Sequence, residues 1–123
     1  MMSESIGESS HAEGALTIAH GKYSHAEGYS TITSSDYSHV EGLFNIIDNE
    51  KKYLHIAGNG TSNPDTGDSR SNAHTLDWDG NAWYAGDIEG KSMIVKSSTE
   101  GSTKRFKITV DDSGALTATE ITG

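Results

Sequence analysis

Along the first half of the chain a small or apolar residue sits between two polar ones in a five-residue block, Ser10-His11-Ala12-Glu13-Gly14. The block returns as Ser24-His25-Ala26-Glu27-Gly28 and as Ser38-His39-Val40-Glu41-Gly42, each copy fourteen residues after the last. Halfway between lie Thr17-Ile18-Ala19-His20-Gly21, Thr31-Ile32-Thr33-Ser34-Ser35 and Asn45-Ile46-Ile47-Asp48-Asn49, with Ser3-Glu4-Ser5-Ile6-Gly7 as a lead-in. A regular repeat decides an architecture before any single residue does. Heptad spacing suits a coiled coil only with apolar a and d positions on helix formers, and this stretch is rich in Gly, Ser, Thr and β-branched residues. The expectation is β structure. At about 3.3 Å per residue, a half-repeat makes a short strand plus a tight corner, with Gly14, Gly21, Gly28 and Gly42 supplying the corner's backbone freedom.

Two half-turns per period predict a flattened β-solenoid whose turns stack about 4.8 Å apart. Stacking puts His11, His25 and His39 in one ladder and Glu13, Glu27 and Glu41 in another, while Ala12, Ala19 and Ala26 suit a narrow interior. Down the equivalent column residues alternate as His11, Ile18, His25, Ile32, His39 and Ile46, so the two half-turns face different surroundings. Small interior columns contribute little at about 25 cal/mol per Å². Self-association is therefore expected, through the Ile column or through Tyr23, Tyr37 and Phe44.

After Asn49 the repeat degrades. Tyr53-Leu54-His55-Ile56-Ala57-Gly58 echoes Tyr37 to Gly42 after a two-residue insertion and reads as a capping turn. Residues 59–74, with Gly60, Pro64 and Gly67, read as a linker or neck. The stretch from Thr75 to Ala85 alternates around Asp79-Gly80-Asn81 and predicts a hairpin with Trp78 and Trp83 flanking its turn as a cross-strand or packing pair. Ser92 to Lys96, Arg105 to Val110 and Leu116 to Ile121 predict three further strands, the last two joined at Asp112-Ser113-Gly114. The organisation predicted is 1–58 repeats with their cap, 59–74 linker, and 75–123 hairpin and small meander.

Composition narrows the function. Only 33% of the 123 residues are hydrophobic and the formal charge is −9, which argues against binding nucleic-acid phosphates or anionic membranes. There is no cysteine, hence no disulfide framework and no thiolate metal site. No apolar run reaches the roughly 18 residues of a membrane span, and Met-Met-Ser-Glu-Ser-Ile-Gly lacks the basic and apolar regions of a signal peptide.

The pattern Ser-x-Ala-x-Gly-x-x-[Ser/Thr]-x-Ala-x-Gly, carried by Ser10 to Gly21, resembles the head repeat of YadA-like trimeric autotransporter adhesins, a likeness covering residues 3–49. The Ser-His-Ala-Glu-Gly version, followed by Ser71 to Asp87 and by Lys104 to Gly114, is more similar to tail-fibre proteins of phages and prophages of Gram-positive bacteria. These resemblances imply an all-β chain: a left-handed parallel β-roll of two-strand coils, then a β-hairpin and meander, in an intertwined homotrimer. They imply a structural or receptor-presenting fibre module on a virion or cell surface, without enzymatic activity or cofactor. An adhesin head that itself binds a host glycan or surface protein is the alternative, and a glycan-degrading tail spike comes third.

His-x-Glu places both side chains on one strand face, a geometry open to metal binding or acid–base work. Repetition argues against catalysis, which needs one pre-organised constellation. The ladder is read as structural, with imidazole and carboxylate satisfying each other and no metal ligand assigned; a transition-metal ladder at a symmetry axis is the alternative. Asp65-Thr66-Gly67-Asp68 reads as a solvated turn rather than a calcium loop. Trp78, Trp83 and Tyr84 could stack on sugars but are expected to pack within the assembly. Lys104, Arg105 and Lys107 are expected on a solvated strand edge.

Overall fold

The structure, a computed structural model, describes residues 2–122, and among these there are strands but no helix. The chain divides into two compact units, one reaching Asp87 and the other beginning at Ile88. The first is a β-solenoid of about four turns. One wall consists of β2 (His11–Ala15), β4 (His25–Tyr29) and β6 (His39–Leu43), paired parallel and in register. The other wall is narrower: β1 (Glu4–Ser5), β3 (Ile18–Ala19) and β5 (Ile32–Thr33).

The fourteen-residue period dictates the register, since like residues stack only when each turn contains the same number of residues. His11 lies beside His25 and His25 beside His39. β7 (Tyr53–Asn59) then pairs parallel with β6 despite the two-residue insertion, setting His55 beside His39 and Ile56 beside Val40. The insertion is absorbed in the connection and leaves the columns intact.

Alternation along each strand turns one column inward. Ala26, Val40 and Ile56 from the wide wall are at most 2% exposed, and Ala19 and Thr33 from the narrow wall are fully buried. Much of the remaining interior is polar and hydrogen-bonded, as burial favours, although the buried Thr17 hydroxyl has no partner. Ser24 Oγ donates to Gly21 O at 2.6 Å and lies 2.8 Å from Thr33 Oγ1, while Thr31 Oγ1 donates to Glu27 O at 2.9 Å. Asn45 closes the narrow wall with its side chain: its Oδ1 accepts from Ile32 N at 2.8 Å and its Nδ2 donates to Ile32 O at 3.1 Å. Asn72 Oδ1 does the same for Ile46 N at 2.8 Å. These amides replace the backbone of a missing next strand.

Corner chemistry differs from the expectation. Left-handed backbone occurs every seven residues at Ser9, Leu16, Tyr23, Ser30, Tyr37, Phe44 and Lys51, none of them glycine. Gly14, Gly28 and Gly42 have positive φ but lie within the wide wall's strands, and Gly21 has no positive φ. Close stacking is what requires these glycines. A Cβ on Gly14 would strike Gly28 O, one on Gly28 would strike Gly42 O, and one on Gly21 would strike Ser35 O.

The segment 59–74 is no linker. Thr61 bridges Ser69, and β8 (Asn72–Asp77) returns antiparallel along β7, so the sheet continues past the last parallel turn. Arg70 Nη1 donates to Ser30 O and Asn45 O, both at 2.9 Å, and its guanidinium lies over the Phe44 ring. A polar Gly- and Pro-containing stretch has the composition of a linker and of a folded turn alike; here its backbone groups find partners in the coil. β9 (Ala82–Tyr84) pairs antiparallel with β8 and completes a six-stranded sheet.

The second unit is a three-stranded antiparallel sheet of β10 (Met93–Lys96), β11 (Arg105–Val110) and β12 (Leu116–Glu120), with β11 central. Arg105 and Lys107 therefore lie on the middle strand instead of an edge, and Lys104 Nζ approaches Glu120 Oε2 at 3.9 Å. The turn after β11 is organised by Asp111, whose Oδ1 accepts from Ser113 N and Ala115 N at 2.9 and 3.0 Å. These bonds, with that from the Ser113 hydroxyl as the largest contribution, hold the Asp111 carboxyl below its ordinary range.

Candidate functional site: the histidine–glutamate ladder

In β2, β4 and β6 the residue between His and Glu points into the coil, so both polar side chains project outward from the wide wall. Parallel in-register pairing then stacks them. The His11 and His25 ring centroids are 5.0 Å apart, His25 and His39 4.9 Å, and His39 and His55 5.3 Å. β8 and β9 extend the column beyond the repeat, with His74 at 5.6 Å from His55 and Tyr84 stacked on His74 at 4.4 Å. The carboxylate column stops sooner, because Ala57 takes the place beside Glu41.

Carboxylates interleave with imidazoles. Glu13 lies between His11 Nε2, 3.4 Å from its Oε2, and His25 Nε2, 3.5 Å from its Oε1. Glu27 lies between His25 Nε2 at 3.9 Å and His39 Nε2 at 3.1 Å, and Glu41 is 4.0 Å from His39 Nε2. Of these contacts only His11 with Glu13 and His39 with Glu27 form hydrogen bonds. His25 Nε2, at the centre of the array, is shielded from solvent and has no hydrogen-bond partner. The mutual satisfaction expected of a purely structural ladder is thus incomplete at its middle rung.

The electrostatics follow the geometry. Glu13 is held below its ordinary 4.5, chiefly by its hydrogen bond with His11, then by Glu27 and by the charges of His11 and His25. His55 is pushed below its ordinary 6.5 by burial and by His39 and His74, with Glu41 opposing. Beside the ladder runs an open groove of about 650 Å³, floored by Gly14, Gly28, Gly42 and Gly58 and walled by Glu13, Glu27 and Glu41.

No family model, curated protein or solved structure matches the chain.

The structure brings together all the repeat residues singled out in the sequence: His11, Glu13, Gly14, His25, Glu27, Gly28, His39, Glu41 and Gly42. It adds His55, visible in sequence as the echo of His39, and His74, for which an antiparallel return leaves no periodic signal. The aromatic group is placed differently. Trp83 lies beside Thr75 while Trp78 sits in the turn between β8 and β9, so the two tryptophans are not a cross-strand pair. That turn is built on Asp77, whose Oδ1 accepts from Asp79 N and Asn81 N and whose Oδ2 accepts from Asn81 Nδ2, all within 3.0 Å. The Asn81 side chain, followed by the backbone bonds, lowers the Asp77 pKa. Trp78, Trp83 and Tyr84 are each about half exposed within the chain, at 49%, 53% and 48%.

On the opposite wall Ile18 and Ile32 are stacked and partly exposed, and Ile46 continues the column at 52% exposure. Tyr23 and Tyr37 stack at 5.3 Å along one corner and remain exposed. Phe44 is buried in its own chain against Tyr29 and Arg70, which removes it from the surfaces available to a neighbour.

Proposed function

We propose that the chain is a non-enzymatic structural and receptor-presenting module of a homotrimeric phage or prophage tail fibre, with its β-roll left-handed. One observation carries this reading: the chain leaves its apolar surface uncovered. Its buried hydrophobic residues are Ala19, Ala26, Val40, Phe44 and Ile56, whereas Ile46, Ile88, Met93, Ile94, Val110 and Leu116 are each more than half exposed. In the second unit no described residue is buried. Exposed apolar columns on stacked strands are suited to copies of the same chain meeting around an axis, and the likeness of the repeat to trimeric adhesin heads supports three copies. A ladder repeated turn by turn supports architecture over catalysis, which needs one unrepeated constellation. A virion or cell-surface location belongs to the same proposal.

Light scattering on the purified chain tests it. The expected mass is three times the 13.1 kDa of one chain, and a single-chain mass at micromolar concentration overturns it. The exposure of Trp78, Trp83 and Tyr84 favours a second reading, an adhesin head that itself binds a host glycan, since aromatic faces stack on sugars. Glycan-array binding that is lost in Trp83→Ala with the oligomer retained would select it.

A further inference from the structure

We propose that the histidine–glutamate ladder is a string of transition-metal sites contained within one chain, holding Zn²⁺ or a similar borderline divalent ion. Three groups present two imidazoles and one carboxylate with donor atoms within 4.8 Å of one another: His11, Glu13 and His25; His25, Glu27 and His39; His39, Glu41 and His55. In the first, the Nε2-to-oxygen separations are 3.4 Å, from His11 to Glu13 Oε2, and 3.5 Å, from His25 to Glu13 Oε1. They are long for hydrogen bonds, which prefer about 2.9 Å. The unpartnered, shielded Nε2 of His25 is the second observation. An imidazole nitrogen held out of solvent between two carboxylates without a hydrogen bond is costly, and a bound cation that takes its lone pair relieves that cost. Two nitrogens and one oxygen select Zn²⁺, Ni²⁺ or Cu²⁺ over the oxygen-seeking Ca²⁺ and Mg²⁺. The adjoining groove leaves the fourth position open to water.

The geometry also sets the stoichiometry. His25 belongs to the first and second groups and His39 to the second and third, and each presents its Nε2 to the carboxylate column. Adjacent groups therefore compete for a shared ligand. The first and third share none, so a full ladder holds two ions per chain, with Glu27 unused.

Zn²⁺ titration of the EDTA-dialysed full chain, read by calorimetry and native mass spectrometry, tests this. Wild type is expected to bind two ions per chain. His25→Ala and His39→Ala should each bind one, the double variant none, and Glu27→Gln and His20→Ala two. Co²⁺ should give the intense d–d absorption of a four-coordinate site in wild type and lose it in the double variant. If His25→Ala fails to fold by circular dichroism, His11→Ala replaces it, because the exposed His11 belongs to the first group alone, and it should bind one. Fewer than two ions in wild type, a number unchanged by the histidine substitutions, or equal binding of Ca²⁺ would overturn the assignment.

Discussion

The two units of this chain are both built of short strands, yet they solve the burial problem in different ways. In the solenoid each turn covers the next, so residues as small as Ala19 and Ala26 become fully buried and the strands of each wall pair in register with those of the next turn. In the unit beginning at Ile88, three antiparallel strands form one layer, and no described residue is buried. A single sheet has two faces and nothing within its own sequence to cover either. The comparison teaches that repetition lets a thin coil close on itself with side chains of almost no volume, whereas a lone meander depends on other surfaces for its core.

The sharpest way to break this contrast is to separate the units. A fragment of residues 1–87 is expected to keep its β spectrum and a cooperative melt, and residues 88–123 alone are expected to show neither. A cooperative transition in the short fragment would erase the distinction. Next in size, Gly28→Ala should cost about 3–5 kcal/mol per chain, since it combines overpacking of backbone against Gly42 O with a φ of 107° that only glycine adopts freely. Chemical denaturation reads the loss. The same substitution at Gly114, whose added Cβ would meet nothing within 4 Å, adds only the backbone strain and should cost about 1–3 kcal/mol.

Ala26→Leu tests how tightly the narrow interior is filled. It should cost on the order of 1–3 kcal/mol by overpacking, and a melting temperature equal to wild type would mean the turns are not stacked around that column. Acidification sharpens the contrast by region. The folded-state pKa of each shifted group lies below its ordinary value, so each contributes stability above that value and loses it as pH falls through the folded value. The solenoid should weaken first, as the pH falls from the ordinary imidazole value of 6.5 toward the lowered value of His55, and again as it falls from the ordinary carboxyl value of 4.5 toward the lowered value of Glu13. The Asp111 turn of the second unit should respond only below 3.8. Melting temperature against pH checks the order, and His55→Gln should flatten the first step. The smallest effect is stabilising: Lys51→Gly removes a left-handed non-glycine residue on an exposed corner and should gain about 0.5–1 kcal/mol.

The solenoid and the composition of its ladder follow from the repeat. A period of fourteen residues leaves one register in which His11, His25 and His39 coincide, and strand alternation then forces Ala26 and Val40 inward while His and Glu face out. Tertiary structure decided the rest. The antiparallel return of β8 brings His74 under His55 through residues that obey no period, and the same return makes a folded cap of a stretch composed like a linker. Close stacking of backbone assigned the glycines of the wide wall to contact instead of corner geometry and moved the left-handed turns to Tyr23, Tyr37 and their equivalents. Side-chain rotation within the ladder left His25 Nε2 without a partner while its neighbours found theirs. Periodicity specifies which residues share a column, because it is a property of the chain alone; which atoms within that column meet depends on distances of tenths of an ångström that arise only once the turns are packed.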